Sequence, residues 1–213
     1  EVAPADAARL RPLIGRMVPM VWTGDASFYL HLAGHPSMEA YDWKSWSAIR
    51  DGKLTWYWGN QIERIDGGRI TLKKPLRVEI RQGWDVGLIA ASPYITHAGV
   101  EKLAIKFPLT RKAAHLKEPG YNGVVFRNAA HCFVRDVVME HIDNGIVMRQ
   151  YNLNNTVTGL VIQGRENHHA TFMGTNSHDN LIEHFRIESR PHHGINTEGT
   201  SSGNVWRRGD MRF

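Results

Sequence analysis

Cysteine occurs once in the 213 residues, at Cys132, so no framework of intrachain disulfides can hold this chain together. No run of eighteen apolar residues is present, which excludes a transmembrane helix from the sequence. No block of lysine and arginine stands out either. The 26 basic and 21 acidic residues are scattered, and their surplus of +5 suits an anionic partner without forming a nucleic-acid footprint. Neither nucleic acid nor a membrane is therefore expected as a partner. The opening residues, EVAPADAARL, lack a basic segment followed by an apolar one, so either a signal was removed or none existed. In contrast, histidine is plentiful at twelve residues and tryptophan at seven, and a 42% apolar content suffices for one sizeable core or two small ones.

The two parts of the chain follow different rules. Residues 1–84 show no repeat. A short helix is expected near residues 4–15, limited by Pro12. From Thr55 onward apolar and polar residues alternate on both sides of Gly67-Gly68, which predicts a hairpin near residues 60–75 with Ile62, Ile65, Ile70 and Leu72 on its apolar face. Trp43, Trp46, Trp56, Tyr57 and Trp58 gather in and before this stretch. They read either as the core of a small β-rich region or, for Trp56 and Trp58 in particular, as a stacking platform for sugar rings.

Residues 85–213 carry a repeat. Five segments, starting at Gly99, Cys132, Asn155, Asn180 and Asn204, align on their apolar residues. One column reads Val100, Val134, Val157, Ile182, Trp206. A second, three residues on, reads Leu103, Val137, Leu160, Phe185, Gly209. A third, two further on, reads Ile105, Met139, Ile162, Ile187, Met211. Gly209 alone breaks the apolar rule. A second short strand follows in each repeat, at 123–127, 145–149, 170–174 and 194–198. A period in the low twenties made of short β segments, with no room for a helix between them, predicts a solenoid. Asn155, Asn180 and Asn204 form a further column, of the kind that satisfies turn backbone by stacking. The fold expected is all-β: a right-handed single-stranded parallel β-helix preceded by the β-rich region. The last segment stops at Phe213 in a strand position, so the stack is expected to be incomplete at its C-terminal end and to continue in further residues or in another chain.

The stacked columns, the asparagine file and the rung length, over about residues 97–213, resemble the pectin-lyase-like right-handed β-helix superfamily. The segment HDNLIEHFRIESRPHHGINTEGTSSGNVW looks like secreted bacterial members of that group. The resemblance implies a secreted or periplasmic carbohydrate-active protein with a polysaccharide or oligosaccharide as partner. It transfers no catalytic residue, because fold alone does not fix function.

The residues themselves suggest where chemistry sits. Just before the second strand the repeats align Asp143, His168, His192 and, beside them, Asn144, His169, His193. Equivalent positions on adjacent rungs lie about 4.8 Å apart, so one column should form a stripe of imidazoles beside a carboxylate. His168, His169, His192 and His193, held by Asp143 or Glu198, are the candidate bases. Structural hydrogen bonding of turn backbone is the plain alternative. The sequence assigns no metal-ligand set and no cofactor, although imidazoles this close also suit a divalent cation. At the end of the same strand Arg127, Arg149, Gly174 and Glu198 align, and the two arginines could offset a uronate carboxylate as β-elimination requires. The insertion 108–122, with Lys112 and His115, is expected to wall the groove. A polysaccharide lyase is the first reading. Its rivals are a glycoside hydrolase or transglycosylase, for which Glu166 and Glu188 lie nearest the stripe, and a non-enzymatic glycan-binding adhesin or tailspike-like module.

Overall fold

The structure, a computed structural model, describes residues 1–34, 37 and 41–212. Phe213, the end of the fifth aligned segment, lies outside them. The chain divides into two compact units, Glu1–Pro93 and Tyr94–Phe213.

The first unit is an antiparallel sheet with two short helices. Helix α1 (Pro4–Leu10) has proline in its first turn, where no N–H partner is missed, and buries Ala7 and Leu10. Pro12 confines the continuation to a 3-10 turn over Arg11–Leu13. Strand β1 (Met17–Gly24) leads through the Asp25-capped helix α2 (Ala26–Ala33) towards β2 (Ile49–Arg50), β3 (Lys53–Asp66) and β4 (Arg69–Leu72). The hairpin turns at Gly67-Gly68, with Asp66 opposite Arg69 and Gly67 at φ +57°, which glycine adopts without a steric penalty. Strand β5 (Asp85–Leu88) pairs with β1, so the stretch after residue 84 belongs to this sheet and the first unit extends to Pro93. Trp22 lies opposite Trp56, and their rings are 5.1 Å apart in the core; Trp56 and Trp58 are each only 3% exposed. They fill the interior of this sheet and present no face for a sugar.

The second unit is a parallel β-solenoid of about four turns. It opens with β6 (Ile95–Thr96), β7 (Gly99–Lys106), β8 (Asn122–Phe126) and β9 (Ala129–Ala130). The next turn is β10 (Phe133–Glu140), β11 (Asn144–Met148) and β12 (Asn152–Leu153). Above it come β13 (Thr156–Thr158), β14 (Val161–Gln163), β15 (Asn167–Met173) and β16 (Ser177–His178), then β17 (Leu181–Ile187), β18 (Pro191–Thr197) and β19 (Val205–Met211). Every pairing between turns is parallel. The crossover chirality of parallel strands makes the coil right-handed.

The register realises the aligned columns. Val134 pairs with Val100 and Val157, Val157 with Ile182, and Ile182 with Trp206; Met139 pairs with Ile105 and Ile162, and Ile162 with Ile187. Val134, Val137, Met139, Val157, Leu160, Ile162, Ile182 and Ile187 are completely buried in one core. The spacing of three and then two residues has a physical cause. Lys102, Asp136, Gly159, His184 and Arg208 all have φ between +52° and +66°, one per turn. Such a left-handed residue acts as a bulge, so the side chains two before and one after it both point inward. Gly209 also finds its reason: a Cβ there would lie 2.0 Å from the Phe185 ring, so the phenyl occupies the volume a side chain would need.

The asparagine file is a continuous hydrogen-bond ladder. Asn180 Oδ1 accepts from both the backbone N–H and the amide of Asn155, each at 3.0 Å, and Asn204 Oδ1 accepts from the same two groups of Asn180 at 3.0 Å. Asn155 Oδ1 accepts from the N–H of Cys132 at 2.8 Å, where the file ends. Replacing Asn180, 1% exposed, with alanine leaves the buried Asn155 backbone N–H and one of its amide hydrogens without an acceptor, the other still donating to Ala129 O. A loss of about 3 kcal/mol in unfolding free energy is expected by chemical denaturation; a loss under about 0.5 kcal/mol would show that the ladder is not structural.

Candidate functional site

Parallel register brings histidines from separate repeats together. Asn144 pairs with Asn122 below and His169 above, and His169 pairs with His193, so four successive turns present one outward column at the start of β8, β11, β15 and β18. Along it, the amide of Asn144 donates to Asn122 Oδ1 at 2.7 Å and its Oδ1 lies 2.9 Å from His169 Nδ1. The rings of His169 and His193 stack at 4.9 Å. His168 stacks on His169 at 4.2 Å, and His192 meets His193 edge-on at 4.5 Å.

The insertion adds a fifth ring. Residues 107–121 leave the solenoid between β7 and β8 as a strap whose base is closed by Phe107 stacked on Tyr121, 4.9 Å apart and nearly parallel. From it, His115 reaches His168 with Nε2 to Nε2 at 2.9 Å, and its ring centre lies 4.6 Å from that of His192. The strap also delivers Glu118, whose side chain is 7% exposed and whose Oε1 lies 3.5 Å from His168 Nδ1. Sequence reasoning missed Glu118, since an insertion outside the repeat leaves no column to read. It also missed Asn196, whose amide lies 3.3 Å from His169 Nε2.

Asp143 stands apart from the imidazoles it was expected to hold. It is completely buried, ion-paired with the buried Arg165, and its Oδ2 accepts from the N–H groups of Gly120 and Tyr121 at 2.9 and 2.7 Å. The strap's end folds over this turn, so position 143 lies beneath it and the carboxylate anchors the strap. Glu198 is exposed at the end of β18, and among the described residues no ion pair reaches it. Arg149 lies over the Phe172 ring at 4.9 Å, and Arg127 donates to Gln150 at 2.7 Å. Lys112, with Thr110, Arg111, Arg165 and Glu166, lines an open hollow of about 570 Å³. Glu166 and Glu188 are engaged at the surface with Arg190 and Arg186.

Burial, followed by repulsion from His168, His193 and the Arg149 cation, brings the His169 pKa down to about 4. His168 is lowered mainly by burial, which outweighs the raising effect of Glu118, and His192 is lowered by desolvation and by neighbouring His193, His115 and Lys112. These imidazoles are therefore neutral at pH 7, with lone pairs available. Two triads, His115/His192/His193 and His168/His169/His193, have potential ligand atoms all within 4.8 Å of one another. Imidazole nitrogens at that separation are a donor set for a borderline transition ion.

Residues 106–208 match the family model described as periplasmic copper-binding protein (NosD). No curated protein and no solved structure matches the chain. The NosD match covers the strap and all five clustered histidines and ends within the last strand, just short of half the chain. Its description as periplasmic agrees with the secreted or periplasmic location that the β-helix resemblance implies, and among the described residues no helix is long and apolar enough to cross a membrane.

The lowered imidazole pKa values make stability pH-dependent. The unfolded histidines protonate near 6.5 and the folded His169 only near 4, so between these values the unfolded state binds more protons. The cluster's contribution is complete above about pH 6.5 and is lost as pH falls towards 4. Melting temperature is expected to drop between pH 7.5 and 5, and the drop should be smaller in His169→Gln; an equal drop in both proteins would contradict this origin.

Proposed function

We propose that this protein is an extracytoplasmic β-helix protein that binds a copper ion, or a transition ion of similar preference, through the histidine cluster. The observation that carries the reading is the convergence of five imidazoles from two rungs and the strap into two triads with ligand atoms within 4.8 Å. The donor set fits: it is rich in nitrogen, low in charge and backed by a buried carboxylate. His193 belongs to both triads and His168 to the buried one, and the strap's His115 would close the site from the outside. The copper-binding description of the matched family supports the same reading. When bound, the ion would supply Lewis acidity or redox capacity, while the chain's part is to hold the imidazoles in place and shield one side from water.

A second reading keeps this face for a polysaccharide. It is favoured by the row of amides and guanidiniums beside the cluster, Asn122, Asn144, Asn196, Arg127 and Arg149, which suits hydroxyl and carboxylate groups. In that reading a histidine serves as base and the arginines offset a uronate. Incubation with uronate polymers, followed by absorbance of an unsaturated product, tests it separately.

Calorimetric titration of the metal-free protein with copper(II) tests the first reading. Saturable binding is expected, weakened by about 100-fold or more in His168→Ala/His193→Ala. Equal affinity in that variant, or none in the wild type, would overturn it.

A further inference from the structure

Glu118 stands out among the described residues as a buried carboxylate facing this cluster. Its side chain is 93% buried, its Oε1 has no hydrogen-bond partner, and that oxygen lies 3.5 Å from His168 Nδ1. On the opposite side of the same ring, His168 Nε2 lies 2.9 Å from His115 Nε2. Two ring nitrogens at that distance share one proton, so one must donate and the other accept. A carboxylate only accepts.

We infer that Glu118 is the positioning residue of the cluster: it holds the His168 proton on Nδ1, which directs the Nε2 lone pair at His115. His115 then carries its proton on Nε2 in the metal-free protein, and for His115 to hold an ion through Nε2 that proton would have to move to its own Nδ1. The inference rests on the metal-binding reading for its purpose, but its content, the tautomer of one ring, is independent of any metal.

The location of Glu118 supports this assignment. The strap is pinned beside it by the Gly120 and Tyr121 N–H groups on Asp143, and Asp143 is itself held by Arg165. Asp143, the carboxylate expected to orient a histidine, thus acts one step removed, by fixing the strap that carries the carboxylate which does. The backbone N–H of His168 donates to Asp143 O at 2.7 Å, so ring and carboxylate are referenced to the same residue. Carboxylates in this relation to a ligating imidazole fix its tautomer and raise its basicity.

The test is nitrogen-15 NMR of histidine-labelled, metal-free protein at pH 7.5, comparing wild type with Glu118→Gln and His115→Ala. The wild type is expected to show His168 protonated at Nδ1. Glu118→Gln is expected to shift it towards Nε2–H or a mixture, because a glutamine amide can also donate. His115→Ala is expected to leave it at Nδ1, since Glu118 and not His115 sets it. Unchanged signals from the other histidines in Glu118→Gln would confirm an intact fold. Copper affinity of Glu118→Gln should fall by about 10- to 100-fold. A wild-type His168 protonated at Nε2, or a tautomer that follows His115 and ignores Glu118, would overturn the inference. Absence of copper binding by the wild type alongside the expected tautomers would instead overturn the metal reading and leave the positioning role standing.

Discussion

Parallel pairing of successive turns is the constraint from which the rest of the solenoid follows. Each turn lies one strand spacing above the last, so any residue type repeated at the rung period becomes a vertical file. Apolar repeats become the core file of Val134, Val157 and Ile182; asparagine repeats become the Asn155–Asn180–Asn204 ladder; the paired histidines become a cluster. The left-handed residue in each first strand keeps the files in phase. It lets a strand bend without losing the inward direction of the side chains around it, and the chain repeats it at Lys102, Asp136, Gly159, His184 and Arg208.

The same constraint explains why a polar cluster can exist on a small solenoid at all. Placing His168, His169, His192 and His193 on adjacent turns crowds four bases that repel once protonated, and burial adds to the cost of charging them. The backbone ladder holds them together regardless. Their proximity is thus imposed by strand pairing, and burial together with that proximity lowers the pKa values of His168, His169 and His192. Imidazoles this close, with a carboxylate behind them, are the arrangement on which the proposed metal site rests.

Much of this was legible in the sequence because the solenoid is periodic. The three apolar columns, the asparagine file and the pairing of His168 with His192 and His169 with His193 came directly from spacing, and the register agrees residue by residue. What was not legible lies where periodicity stops. The strap is an insertion, so its delivery of Glu118 and its burial of Asp143 depended on three-dimensional closure, with Phe107 on Tyr121 at its base. Trp56 and Trp58 illustrate a different limit: alternation places them on a strand but does not say which face of the sheet is covered, and both are interior. The extent of the first unit was obscured similarly, since the pairing of β5 with β1 joins residues more than sixty positions apart.

X-ray absorption at the copper edge of the loaded protein tests the account's central claim most directly, because it reads the atoms around the ion. Three or four imidazole nitrogens at about 2.0 Å, with the outer-ring scattering of histidine, are the result expected if strand pairing assembles a ligand site from separate turns. A first shell of water and carboxylate oxygens with no imidazole scattering would contradict it.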